Sequence, residues 1–550
     1  MTRLNPALQS FQDFQVLVRK DHFKDLKLYR QYTNGEMTAR LNKDQIAAFN
    51  NDPEHVVNMC PTILNAKCDR LKIEAIEIQQ PQIEPVPPVA TIQTQAQENT
   101  LEKEVMTWWE ASGMASGQKD IAFSASRDAD SYLIVEYDNE TKQPRLVVGL
   151  SYDGDTGVDM VYQDDDPTRP IYATKRWKVF TSETDSIRRL NVYYPNRIEK
   201  YINPVSGGEF DDANWQPFTD DGDEIFRFDL EGNIIEDEGT TTILDNSYVA
   251  AVSWWTDDST PTGEPLGIAV IHFPNNARGT AYGRSDLADV VPSLQDNLND
   301  ASVDLRIATK FSGSPINILF NISQTATTYE YTPGALIALQ GVNDQSASGM
   351  QFGSTNLEQL IKSKDSIERD IATVSGTPLP MINPTAQVAA EGTLQQQEAP
   401  LITRVESSQT VWGGRYEDSI RMMVKLESVF GSLKLSLEAI DDLMIKVIWK
   451  SAEIRNANRD AERAKLWLEI GVEPELIMKH VLGMDAPMIA KNAALKEERE
   501  ALVRTNQGVT LAGELAAALR EEPSDNGTGQ RESTEVIESP TPSPELAATA

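Results

Sequence analysis

Apolar positions change period several times along the chain, and each change marks a predicted element. The first 78 residues mix amphipathic helix with "PTILNAKCDRLKIEAIEI", which begins at helical spacing and ends in the period-two alternation of a strand. "QQPQIEPVPPVATIQTQAQEN", residues 79–99, is rich in Pro and Gln and predicts a loop or linker. "TLEKEVMTWWEAS" follows at helical spacing, with Leu101, Val105, Trp108 and Trp109 gathered on one side as core. From Ser131 to about Ile271 the pattern is of strands with turns between, including "SYLIVEYD", "PRLVVGLSYD", "PIYATKRWKVFTS" and "YVAAVSWW".

After residue 284 the helical period returns. Leu287, Val291, Leu294, Leu298, Ala301, Leu305 and Ala308 recur at steps of 4, 3, 4, 3, 4, 3, a seam of packing positions. Ser285 is placed to cap this helix, and Asp286 and Asp289 suit its first turn, where negative charge complements the dipole. Pro292 predicts either a kink or the true start. Asp296, Asp300 and Asp304 fall at i, i+4, i+8, a stripe of like charge on one side. Residues 313–355 read as a small strand module between helices. "TNLEQLIKSKDSIERDIATVSG" is a second helix with Leu357, Leu360, Ile361, Ile367, Ile371 and Val374 on its apolar face and Gly376 as its stop. Three prolines in "TPLPMINPTAQVAAEGT" predict an irregular loop, and Glu398 to Phe430 a long helix kinked at Gly413 and Gly414.

Composition adds size and charge. A chain of 550 residues suits several packed units. Fifty Lys and Arg against 84 Asp and Glu leave 34 net negative charges, a surface that repels nucleic acid at long range. The N-terminus lacks the apolar core of a signal peptide and no run of 18 apolar residues occurs, so the chain is expected to be soluble, made in a cytoplasm and without a membrane partner. The last 30 residues, 521–550, hold seven acids, one base and repeated Pro and Ser, and are expected to be disordered.

Candidate chemistry is sparse. "GTAYGRS" resembles a phosphate loop, yet Gly279 and Gly283 lead to Arg284 and Ser285 with the spacing one short and no Lys. Asp153, Asp155 and Asp159 echo a calcium loop, but the central Gly is displaced and position 12 is Asp164, which favours a strand-connecting turn. "DDANWQPFTDDGDEIFRFDLEGNIIEDEG", with eleven acids and one base, reads as a solvated loop or hairpin. Cys60 and Cys68 form neither a disulfide framework nor a zinc site, and His22, His55, His272 and His480 are scattered and read as structural or surface residues. No catalytic residue, metal ligand or cofactor is predicted.

The order of parts resembles the portal proteins of tailed bacteriophages, in particular the branch typified by the SPP1 portal. The resemblance covers roughly residues 55–500 and rests on "YGRSDLADVVPSLQDNLNDASVDLRI", "RDIATVSGTPLP" and "MIKVIWKSAEIRNANRDAERAKLWLEIGV". One departure is "SRDADSYLIV", where relatives commonly carry a Gly before the strand and this chain has Asp128 and Ala129.

The resemblance implies an α+β portal fold with a mixed α/β wing, a two-helix stem, a small β-containing clip, a long kinked helix and a helical crown. By order, residues 1–284 correspond to the first part of the wing, 285–312 to stem helix 1, 313–355 to the clip and 356–376 to stem helix 2. Residues 377–397 correspond to the tunnel loop, 398–430 to the long wing helix, and 431–520 to the wing's return strand and crown. The implied function is a ring of about twelve copies at one capsid vertex, through which double-stranded DNA is packaged and ejected without sequence recognition. The implied partners are further copies, the terminase motor, head-tail connector or neck proteins, and the major capsid and scaffold proteins. Pro378, Leu379, Met381, Asn383, Thr385 and Gln387 then become candidates for DNA contact, Asp296, Asp300 and Asp304 an acidic stem face, and Leu287, Val291, Leu294, Leu298 and Leu305 stem packing. The alternatives are another virion structural protein, such as a head-tail adaptor or minor capsid protein, and then a packaging enzyme.

Overall fold

The computed structural model describes residues 20–36, 57–79, 88–163, 166–182, 185–204, 215–220, 223–229, 231–235, 247–277, 279–321, 334–339, 346, 348–351, 356–384, 391–453, 457–482, 488–489, 491–493 and 495–496. The chain divides into two units, Met1–Glu453 and Ile454–Ala550. Its architecture is mixed α/β, as expected from the changes of period.

The first unit opens with α1 (Lys20–Asn34), α2 (Cys60–Cys68) and β1 (Ile73–Gln79), so the predicted switch from helix to strand across residues 61–78 is present. Next comes α3 (Pro88–Ala111), which corrects the loop predicted over residues 79–99 at residues 88–99, while residues 80–87 lie outside the described residues. The prolines there cluster before or at the first helical position, where the missing N–H has no partner to lose, and the following Val-Ala-Thr-Ile-Gln-Thr-Gln-Ala-Gln-Glu contains no proline. Leu101, Val105, Trp108 and Trp109 are all buried, as their spacing requires.

The strand-rich region then unfolds from α4 (Met114–Asp128) into β2 (Asp130–Asp138), β3 (Gln143–Leu150), β4 (Gly157–Gln163), β5 (Asp166–Phe180), β6 (Ser186–Tyr193) and β7 (Arg197–Asn203). It continues through β8 (Gln216–Pro217), β9 (Glu224–Asp229), β10 (Ser247–Trp254) and β11 (Val270–Pro274). β2 is the middle strand of an antiparallel sheet ordered β11-β2-β3, and a larger sheet runs β4-β5-β6-β7-β10-β9, with β8 paired to β7. The calcium-like loop between β3 and β4 is a turn, as predicted: Asp153 N donates to Thr156 O, and Asp155 and Thr156 N–H groups donate to Asp153 Oδ1.

At the junction of α4 and β2, Ala129 has φ 76°, a backbone region that disfavours any side chain. This gives a physical reason for the Gly expected there. Replacing Ala129→Gly should therefore stabilise the fold by about 1 kcal/mol, less the loss of one buried methyl, read as a higher unfolding temperature at fixed protein concentration and scan rate. An unchanged or lower temperature would show that the junction is not strained by its side chain.

The second half of the unit holds α5 (Ser293–Gly313), β12 (Asn317–Phe320), β13 (Leu336–Leu339), β14 (Ser348–Gln351) and α6 (Leu357–Ser375). The three strands form one sheet ordered β13-β12-β14, parallel on one side and antiparallel on the other. After them come α7 (Leu379–Ile382), α8 (Glu391–Phe430), α9 (Leu437–Asp441) and β15 (Met444–Trp449). β15 returns across the unit to pair antiparallel with β1, joining residues more than 350 positions apart, for example Ile76 with Val447.

One boundary moves and one predicted kink is absent. α8 starts at Glu391 rather than Glu398 and carries Pro400 inside it, so residues 391–397 are helix rather than loop. Its 40 residues span about 60 Å, and it continues unbroken through Gly413 and Gly414. A Cβ on Gly413 would come within 3.3 Å of Trp449 Nε1, so this glycine admits the crossing β15 strand. Leu401, Val405, Trp412, Tyr416, Ile420 and Val424 form the buried stripe of α8. They share one core with α3, α4, the β11-β2-β3 sheet and the β1–β15 pair. A second core lies on the larger sheet, around Tyr172, Leu190, Tyr201, Trp215, Phe228 and Tyr248.

The second unit contains α10 (Ala457–Glu469) and α11 (Pro474–His480), linked by a turn at Gly471, whose φ is 86°. Ile477 and Val481 are buried there, whereas Leu466, Leu468, Ile470 and Leu476 are exposed. The acidic tail, residues 521–550, lies outside the described residues.

Candidate functional site: a helical hairpin and its anchor

The helix predicted over residues 285–312 forms, but it starts at Ser293. Residues 286–292 are turns ending in a cis peptide between Val291 and Pro292. Ser285 caps those turns, since Leu287 N donates to its Oγ at 3.1 Å, and does not cap α5. Leu287 and Val291, predicted as helical seam positions, are buried in the turn that leads into the helix. Leu298 is fully buried on α5, while Leu294 and Leu305 are half-buried.

α5 packs against α6, with Leu298, Ile371, Ala372 and Ile382 in one core alongside Tyr32, Ile63 and Leu64 from α1 and α2. Gly376 ends α6 at φ 62°, as its position predicts, and Asn356 caps the start by accepting from Glu358 N. Ile371 is buried, but Ile361 and Val374, predicted on the same apolar face, are about half exposed.

The packed side of α5 is partly polar. Gln295 is fully buried; its Oε1 accepts from Met59 N at 3.1 Å, while its Nε2 donates to Val57 O at 2.5 Å. One turn on, Asn299 Oδ1 accepts from Val57 N at 3.0 Å. These two amides satisfy the backbone of a segment that has no strand partner, and so fix the entry to α2 against α5. The sequence assigns neither residue a role, although an i, i+4 amide pair beside an apolar seam is a usable signal.

The acidic face is divided. Asp296 accepts a hydrogen bond from Tyr32 Oη at 2.6 Å and is half-buried, whereas Asp300 and Asp304 are exposed further along α5.

At the base of the hairpin lies an anchor built around Asp286. Its carboxylate meets Arg404 at 2.8 Å and Lys67 at 3.3 Å, and accepts from Asn275 Nδ2 and Asn276 Nδ2 at 3.0 Å each. Lys67 also donates to Asn275 Oδ1 at 2.6 Å and lies 5.1 Å over the Trp412 ring, whose Nε1 donates to Pro274 O at 3.0 Å. Arg404 donates to the Ser375 carbonyl at the end of α6. Burial alone would push the Asp286 carboxyl up, but Lys67 and Arg404 outweigh it and hold it below the ordinary carboxylate value. The cluster therefore ties α2, β11, the pre-α5 turn, α6 and α8 at one point. Asp286 does not act on the α5 dipole, as its sequence position suggested.

The "GTAYGRS" loop is equally structural. Gly283 N donates to Asp130 Oδ1 at 2.7 Å, and Asp130 holds His272 Nε2 at 2.8 Å. His272 Nδ1 in turn faces Tyr162 Oη at 2.7 Å, and its ring stacks on Tyr132. The structural reading of His272 agrees with this arrangement, while His55 lies outside the described residues. Burial pushes the Cys60 and Cys68 thiols up to about 12, leaving both protonated and unreactive at neutral pH. Among the described residues no group of three His, Cys, Asp or Glu is placed to hold a metal ion, and no helix is long and apolar enough to cross a membrane.

Beyond Gly376 the loop begins in order: Leu379–Ile382 form a short helix, where an irregular segment is predicted. Pro378 is buried, Leu379 is half-buried, and Asn383 Nδ2 donates to Glu368 Oε2 at 2.6 Å. Met381 is the exposed member of the predicted contact set, while Thr385 and Gln387 lie outside the described residues.

No protein-family model matches the chain. It is 24% identical over 212 residues to the portal protein of Mycobacterium phage D29 and 22% identical over 210 residues to that of Mycobacterium phage L5. Each match covers 36% of this chain and spans 43% of the relative's length. The chain is thus distantly similar to phage portal proteins over about a third of its length.

Proposed function

We propose that the chain is the subunit of a phage portal: a ring of about twelve copies at one capsid vertex whose central channel passes double-stranded DNA during packaging and ejection. The observation that carries this reading is the order helix, small sheet, helix, formed by α5, β12–β14 and α6, tied at its base to the long α8 through Asp286 and Arg404. Similarity to portal proteins of two mycobacterial phages supports it. In this reading α5 and α6 are the stem, the β12–β14 sheet is the clip that meets the terminase motor and later the neck, and the wing holds the major capsid and scaffold proteins. The residues beyond α6 face the channel, with Met381 exposed and able to touch DNA without reading its sequence.

Charge supports the same reading. DNA carries one negative charge per about 1.7 Å, and a basic lining would hold it through counterion release. A chain with 34 surplus negative charges, and Asp300 and Asp304 exposed on α5, instead lets a polyanion slide. The SPP1 branch is the form of the family this assignment follows.

Electron microscopy of the purified chain tests the reading. Rings with an open central channel are expected. A persistent monomer across salt and protein concentrations, or rings whose bore is strongly cationic, would overturn it.

A further inference from the structure

Within the first unit a half-open cleft of about 460 Å³ lies between α8, β11 and the β4–β5 pair. Its walls are apolar, with Met160, Ile268, Val270 and Met422, and its floor carries Tyr162 and His272. The α8 wall carries Arg415, Arg421 and Lys425, against one lining carboxylate, Asp418. Such a concentration of positive charge runs against the acidity of the whole chain.

The cations are incompletely neutralised. Arg415 and Arg421 share Asp418, at 3.9 Å and 3.4 Å, and Lys425 pairs at 2.8 Å with Asp441, outside the cleft lining. Arg421 also donates to the Leu443 carbonyl at 3.3 Å, yet its Nε is buried and meets no acceptor among the described residues. Burial pushes the Asp418 carboxyl up, against the pull of Arg415 and Arg421, so the lone acid yields its charge more readily than an ordinary aspartate. The Asp130–His272–Tyr162 chain ties the floor residues together, and burial raises the Tyr162 phenol so that it stays protonated beside His272 Nδ1.

We propose that this cleft is an oxyanion site, in which Arg415, Arg421 and Lys425 bind a phosphate or carboxylate group over the Tyr162–His272 floor. The guanidinium forks suit planar or tetrahedral oxyanions, and the apolar walls leave room for a small body attached to the anionic end. The group has two sources: a free small anion, or an acidic side chain presented by a second copy of this chain. The second source rests on the ring reading above.

The test uses the full chain. Inorganic phosphate and citrate are titrated at constant ionic strength by calorimetry, and assembly is followed in parallel by mass photometry. For a free anion, one saturable event per chain is expected, weakened about tenfold by Arg415→Gln, the loss expected for one charged hydrogen bond. Arg421→Lys, which keeps the charge but removes the planar guanidinium fork, should weaken it too, and circular dichroism confirms that both variants fold. For a second copy's carboxylate, no saturable event occurs but Arg415→Gln shifts the assembly toward smaller species. Absence of both effects in folded variants overturns the site. A wild-type chain that never assembles removes the ring reading while leaving the anion titration to decide the cleft.

Discussion

Asp286→Ala should lower the stability of the first unit by about 3–5 kcal/mol, the cost of breaking a buried ion pair and stranding its partners. The loss leaves Lys67 and Arg404 facing one another in a site where Lys67 is almost wholly buried. Asn275 and Asn276 lose their shared acceptor at the same time. Asp286→Asn keeps the volume and an acceptor oxygen but removes the charge, so it should fall between wild type and Ala. Thermal unfolding at fixed protein concentration, with soluble yield as a second reading, checks the order. A variant as stable as wild type would mean that the five elements do not depend on this carboxylate.

The same carboxylate sets an acid limit. Its folded value is depressed, so its contribution is fully present above the ordinary value of about 3.9 and is lost as pH falls through the lower folded value. Wild type should therefore lose stability in that acid range by more than Asp286→Asn does. Equal slopes for the two proteins would remove Asp286 from the explanation.

Gly283→Ala is expected to cost about 3 kcal/mol, the upper end for forcing an extra carbon into a packed interior. A Cβ there would lie 2.2 Å from Ala129 O and 2.5 Å from Asn275 N and O. These atoms cannot simply step aside, because Asn275 N donates to Ala129 O at 2.8 Å and Arg284 N donates to Asn275 O at 2.6 Å. Relief would pull the end of β11 from its neighbour and break the bond from Gly283 N to Asp130. Gly279 provides the control: nothing lies within 4 Å of its Cβ position, but its φ is 75°. Gly279→Ala should thus cost only about 1 kcal/mol, from backbone strain alone. Hydrogen exchange at Gly283 and Arg284 amides should rise in the first variant and not in the second. Similar losses for both would show that space at Gly283 is not what selects glycine.

Periodicity carried much of the architecture. The Trp108–Trp109 core helix, the strands from Ser131 onward, the small strand module and the Gly376 stop all formed where local patterns placed them, and the strand "MIKVIW" formed where the family resemblance implied one. These are decided within a few residues by alternation, caps and turn chemistry. Proline clusters misled at three places: residues 88–99, 379–382 and 391–397 are helical. Proline forbids a preceding helical hydrogen bond but tolerates a helix beginning at it, and Pro400 is accommodated inside α8. The start of α5 was ambiguous for the same reason, and Pro292 proved to be its boundary.

By itself the sequence determined the alternation of helical and strand-forming segments, the acidity of the chain, and the failure of the phosphate-loop and calcium-loop patterns, because spacing and composition are local properties. Only the tertiary structure decided that Asp286 is an anchor, that Gln295 and Asn299 hold the Val57–Met59 backbone, that β15 closes on β1, and that Arg415, Arg421 and Lys425 share a cleft. Each joins residues far apart in the chain, and a side chain's role there depends on burial and on which partner folding brings within reach of a hydrogen bond.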